Sequence, residues 1–180
     1  VQEARRLAGA RAGRVGLHGA SQGGWIAPLA ASRAPVDFVT VAFGLAYGAL
    51  SEDSDQVVLD LKAKGWGAEV LEQARAITDV TSAFIASHGQ TSFGDLEAVR
   101  ARYGAQPWFA DIKGEFTGFL LNTPNDQIIA MAPVLNLGTS WDYDPLPVLS
   151  RLDTPMLWIQ AEDDIGAPPD ATRQRLIDLA

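Results

Sequence analysis

The residues best suited to chemistry lie in Val15-Gly16-Leu17-His18-Gly19-Ala20-Ser21-Gln22-Gly23-Gly24-Trp25. Gly19, Ser21 and Gly23 make a G-x-S-x-G pattern, the signature of a nucleophile elbow. A serine hydroxyl is a weak nucleophile until it stands clear of a sheet, beside a base and near backbone N–H donors. A sharp strand-to-helix turn does this, but it strains the serine backbone and crowds the positions two residues to either side. Glycine has no Cβ, so it leaves room at both positions. Ala20 is small enough for the same turn, and Gly24 lets the following helix approach the strand closely. The chemistry indicated is acyl transfer through a covalent serine intermediate.

A glycine-rich chain can also produce this pattern as an ordinary turn, so the flanking elements decide. Arg14–His18 reads as a buried strand leading into the motif. Ile26, Leu29 and Ala30 supply a helical apolar face after it, running to Ser32-Arg33, with Pro28 tolerated in the first turns. Val36–Phe43 is β-rich and nearly all apolar, the pattern of a strand covered on both faces. Strand, helix and strand with short links form a βαβ unit and hence a parallel sheet. Ahead of it, Val1–Gly13 reads as the end of an amphipathic helix with a glycine stop.

Beyond Gly44 the periodicity turns helical. Gln56–Lys64, Ala68–Ser87 and Asp95–Tyr103 are amphipathic helices, and Gln106–Asn136 is less regular and aromatic, with Trp108, Phe109, Phe116 and Phe119. Trp141–Pro147 is a proline-punctuated return, Thr154–Gln160 the next buried strand, Ala161–Pro169 an acidic turn and Asp170–Leu179 a helix. A long helical stretch between two strands of one sheet reads as an inserted cap. The chain therefore divides into a first core part at 1–48, a helical cap at 49–145 and a second core part at 146–180. Most cap aromatics are expected to form its own core, and a minority to line a substrate pocket.

At 180 residues, 47% hydrophobic and 20% charged, the chain is globular and large enough for a sizeable core. A net charge of −8 argues against nucleic acid or an anionic membrane surface as its main partner. With no cysteine, disulfides, thiolate catalysis and cysteine metal sites are excluded, and the compartment stays open. No apolar run approaches a membrane span. Val1 is not an initiator methionine, so the absence of a visible signal peptide carries little weight.

Taken together, GASQGGWIAPLAASRAP before an apolar strand, DYDPLPVL before another, and the acidic turn AEDDIGAPP resemble the α/β-hydrolase superfamily. The likeness is greatest to the bacterial dienelactone hydrolase and acyl-esterase branch, near the prolyl-oligopeptidase-type domains. It spans nearly the whole chain and is vaguest in the cap. The resemblance implies a mostly parallel sheet with flanking helices and a helical cap. It also implies a triad in the chain order Ser, Asp or Glu, His. The serine falls on Ser21. The acid falls on Asp164, four residues before Pro168, with Asp163 as the neighbouring competitor. The residue after the nucleophile, Gln22, would give one backbone N–H to the oxyanion hole. By itself, without the elbow upstream, the acidic turn reads better as a solvated loop.

Two departures from the family pattern stand out. The family's base is a histidine after the acid, and here only His18 and His88 exist, both before it. His18, in the elbow strand, suits a packing or second-layer role, and His88 reads as a solvated helix end. The family also places several strands, and a second oxyanion donor, ahead of the elbow. The expectation is thus a piece of a longer hydrolase whose triad histidine lies outside this chain, with the piece alone inactive. The activity expected is cleavage of a carboxylic ester, or a thioester or peptide, with a small-molecule acyl substrate and no metal or cofactor. The alternative is a binding protein that kept the fold and lost the base.

Overall fold

The computed structural model describes residues 1–11, 13–91, 93–135, 140–164 and 166–179. Ala12, Asn136 and Ile165, which the sequence assigns to the first helix, the irregular cap segment and the acidic turn, lie outside the described residues. In order, the elements are α1 (Gln2–Ala8), β1 (Gly16–Ala20), α2 (Gly23–Arg33), β2 (Phe38–Ala42), α3 (Ala49–Ala63), α4 (Ala68–Ala86) and α5 (Phe93–Tyr103). There follow α6 (Phe116–Asn122), α7 (Asn125–Leu135), α8 (Leu146–Leu149), β3 (Met156–Ile159) and α9 (Pro169–Leu179). The chain forms two compact units, Val1–Gly48 with Asp144–Ala180, and Ala49–Tyr143.

The first unit is mixed α/β. Its three strands run parallel in the order β1-β2-β3, with Gly16 opposite Phe38 and Val39 opposite Met156. One face carries Val39 and Val41, both fully buried, against Ala27 and Ala31 of α2, with Leu17, Met156 and Trp158 packed beside them. Small residues on α2 let helix and sheet approach closely, which is why its buried stripe is alanine, glycine and Pro28 rather than leucine. On the other face His18, Phe38, Leu157 and Ile159 are exposed, Leu157 by 56% and Ile159 by 46%. This corrects three expectations, that β1 and β3 are buried strands and that β2 is covered on both faces. An apolar run satisfies one-sided and two-sided burial alike, so periodicity alone could not separate them.

Asp37, just before β2, ties α1 to the sheet: its Oδ2 accepts from the Val15 N–H at 2.7 Å and from Arg5 at 2.8 Å. The Val15 N–H and then the Arg5 guanidinium hold its carboxyl below the usual range.

The second unit is helical. One cluster gathers Val57, Leu61, Ile77 and Trp108, and another Phe84, Ile85, Leu96 and Leu120. Its aromatics meet one another, Phe84 with Phe93 and Phe116 with Trp141, at edge-to-face angles. Helix α3 begins seven residues before the Gln56 start that periodicity indicates. The extra turns carry buried Asp53, which accepts from the N–H groups of Phe116 and Thr117 and from the Thr117 hydroxyl, at 2.8, 3.1 and 2.6 Å. A carboxylate from another helix thus caps α6, where Glu115 makes no side-chain cap. Gly114, at φ +70°, keeps that approach open, since a Cβ there would lie 2.7 Å from Asp53 Oδ1. Among the described residues no helix is long and apolar enough to cross a membrane.

Candidate active site

Ser21 is the first residue past β1. Its N–H donates to the Ala42 carbonyl at 3.0 Å, so the backbone is still tied to β2 as it turns away. Its φ is +51°, a left-handed conformation rare for a residue with a Cβ, and the residue is exposed. The next bonds start α2 at once: Gly24 N–H to the Ser21 carbonyl at 2.9 Å and Trp25 N–H to the Gln22 carbonyl at 3.0 Å. Gln22 is the N-cap, and the first N–H groups of a helix have no acceptor within it.

The glycines of the motif differ in what they do. A Cβ on Gly19 would stand 2.6–2.8 Å from the carbonyl oxygen, Cα and carbonyl carbon of Gly23, all backbone. A Cβ on Gly23 would meet nothing within 4 Å. The expectation that both flanking positions are crowded is therefore corrected. Gly19 needs the space, and Gly23 is the backbone it would strike. Gly24 faces Gly44 and Leu45 at the exit of β2, and a Cβ on Gly44 would lie 2.8 Å from Gly24 Cα and 2.9 Å from the Ser21 carbonyl oxygen.

Because the strands are parallel and Ala20, Ala42 and Ile159 share a level, Ser21, Phe43 and Gln160 leave the sheet along one edge in that order. The Phe43 N–H donates to Ile159 at 2.9 Å and continues the edge. Ser21 and the acidic turn after β3 are separated by one strand, a span of roughly 9.5 Å. In that turn Asp164 is half-buried, and its Oδ1 accepts from the Gly166 and Ala167 N–H groups, each at 2.9 Å. Glu162 and Asp163 are exposed. The local geometry therefore fixes Asp164 and leaves Asp163 in solvent.

Neither histidine is brought to Ser21 by this unit. His18 lies on the exposed sheet face with Nδ1 2.8 Å from the Thr40 hydroxyl. It is three residues upstream along an extended strand, about 10 Å away. His88 follows α4 in the second unit, at φ +55°. There its N–H reaches the Ile85 carbonyl and the Gly89 N–H reaches Phe84, both at 2.9 Å, which is the Schellman pattern of a helix end.

Sequence reasoning missed the segment that follows β2. Ala46 donates its N–H to the buried Thr172 hydroxyl of α9 at 3.0 Å, and its carbonyl accepts from Arg175 at 3.2 Å. Trp25 of α2 donates Nε1–H to the Tyr47 carbonyl at 2.7 Å. Arg175 also reaches Asp144 at 3.4 Å and lies 5.7 Å from the Tyr47 ring centre. The helix that follows Ser21 and the helix that follows the acidic turn thus grip one loop. The dipeptide Phe43-Gly44 at the end of an apolar strand was the available sign of a tight exit. Among the described residues, no three His, Cys, Asp or Glu side chains gather as a metal site would require.

No family model, curated protein or solved structure matches the chain.

Proposed function

We propose that this chain carries the nucleophile and acid of a serine hydrolase with the α/β-hydrolase fold and a helical cap, cleaving a carboxylic ester through an acyl-enzyme on Ser21. The observation that carries the reading is the left-handed Ser21, exposed at the end of β1, with one strand between it and β3, whose following turn holds Asp164 by its own loop N–H groups. Strain of this kind persists only where surrounding structure enforces it, and it is a feature of functional turns.

In the proposed reaction Ser21 Oγ attacks the ester carbonyl carbon while a histidine takes its proton. The oxyanion is met by the Gln22 N–H, the alcohol leaves with that proton, and water then releases the acid by the same route. Asp164 orients the histidine and stabilises its charged form. His18 does not suit the role of base, because it is held to Thr40 well down the strand. That placement favours one second reading, a protein that keeps this fold and binds acyl compounds without turning them over.

The test is covalent labelling of the complete protein with a fluorophosphonate, with peptide mapping by mass spectrometry. Ser21 alone is expected to carry the label, and Ser21→Ala to lose about 10⁴-fold in kcat while keeping its fold. A label on another serine, or none, overturns the hydrolase reading. An unlabelled protein that still binds an acyl ester supports the binding reading.

A further inference from the structure

Phe43 departs from the pattern of its own strand. Val39 and Val41 alternate onto the buried face and are fully enclosed, so Phe43, two residues on, should join them. Instead it is 49% exposed, and its φ is +54°. A bulky residue in the left-handed region is a true outlier, and no helix end accounts for it, as one does for His88. The left-handed turn takes the ring out of the core it would otherwise complete.

The surroundings enforce this conformation. On one side the Phe43 N–H is bonded to Ile159. On the other, Gly44 is pressed against Gly24 and the Ser21 carbonyl. Beyond it the loop is gripped by Thr172, Arg175 and Trp25. Phe43 is also the residue next to Ser21 along the sheet edge, between it and the turn that holds Asp164. Two adjacent left-handed residues, one a hydroxyl nucleophile and the other an exposed aromatic ring, mark a single built feature.

Resting on the serine-hydrolase reading, we infer that Phe43 is a specificity-determining residue: an apolar wall beside Ser21 that selects uncharged, extended acyl chains. A flat ring held by a strained backbone gives contact area at little cost in side-chain entropy, which suits recognition of hydrocarbon.

The experiment uses ethyl and octyl fluorophosphonates on the complete protein and on its Phe43→Ala and Phe43→Gly variants, following label at Ser21 by mass spectrometry. In each reaction the Ser21 Oγ–P bond forms, the P–F bond breaks, and fluoride and the serine proton depart. Wild type should react faster with the octyl reagent. Both variants should lower the octyl-to-ethyl rate ratio about tenfold or more, since apolar pocket contacts discriminate on that scale. The ethyl rate should change little. An unchanged ratio with Ser21 still labelled, or an equal fall in both rates, overturns the role of Phe43 and leaves the hydrolase reading standing. No label at Ser21 in wild type overturns both.

Discussion

The turn after β1 and the turn after β3 leave the same edge of one sheet, yet they are held by opposite means. The first is rigid by exclusion: Ser21 is forced into a left-handed backbone, and Gly19 has no space for a Cβ because the Gly23 backbone occupies it. The second is held by attraction, with one oxygen of Asp164 accepting two N–H groups of its own loop. Exclusion demands glycine two residues before the serine and so leaves a mark in the sequence. Attraction of the Asx type occurs at many ordinary surface turns, so the same carboxylate could sit in any solvated loop. A nucleophile must be displayed in one orientation, whereas an acid need only offer an oxygen. In the proposed triad the Gly166 and Ala167 N–H groups hold Asp164 by Oδ1, and the histidine would be met at Oδ2.

The largest expected effect separates the two neighbouring carboxylates of the second turn. Asp164→Asn keeps the loop acceptor but removes the charge, and activity on a short-chain aryl ester should fall about 10⁴-fold in the complete protein. Asp163→Asn, on an exposed side chain, should stay within about tenfold. Steady-state kinetics giving the reverse order would show that the fixed carboxylate is structural and the solvated one catalytic.

The next effect divides the two glycines of the first turn. Gly19→Ala drives a Cβ into backbone that cannot move without opening the elbow, and should destabilise the protein by about 3 kcal/mol. Gly23→Ala adds a Cβ to open space at the first residue of α2 and should be neutral, or gain about 0.5 kcal/mol from helix propensity. Urea unfolding of both variants measures this. Equal losses would mean that the motif's symmetry is steric after all.

These contrasts also explain how much could be read in advance. The parallel strands, the elbow and the long helices α4 and α9 follow from periodicity and glycine spacing, which are local. What escaped depends on partners distant in the chain. The exposed face with Leu157 and Ile159 is apolar like the buried one, and no pattern within one strand tells them apart. Asp53 is one acid among several at the start of α3 until Phe116 and Thr117 arrive from sixty residues away. Phe43 continues an apolar alternation, and only the close approach of Gly44 to Gly24 shows why the chain breaks it.

The smallest expected effect is the most direct measure of the difference between the two turns. A left-handed residue with a Cβ costs roughly 1–2 kcal/mol relative to its right-handed form, a cost glycine does not bear. Against that, glycine has more freedom to lose from the unfolded chain, about 0.5–1 kcal/mol. Ser21→Gly should therefore stabilise the fold by about 0.5–1 kcal/mol over Ser21→Ala, with both inactive, since neither retains the hydroxyl. At the other turn glycine acts in the opposite sense. Asp164→Gly removes the acceptor for two loop N–H groups and adds chain entropy, so it should cost about 2 kcal/mol. Thermal unfolding resolves both signs. If Ser21→Gly proves no more stable than Ser21→Ala, the elbow carries no strain, and the two turns are held by the same kind of force.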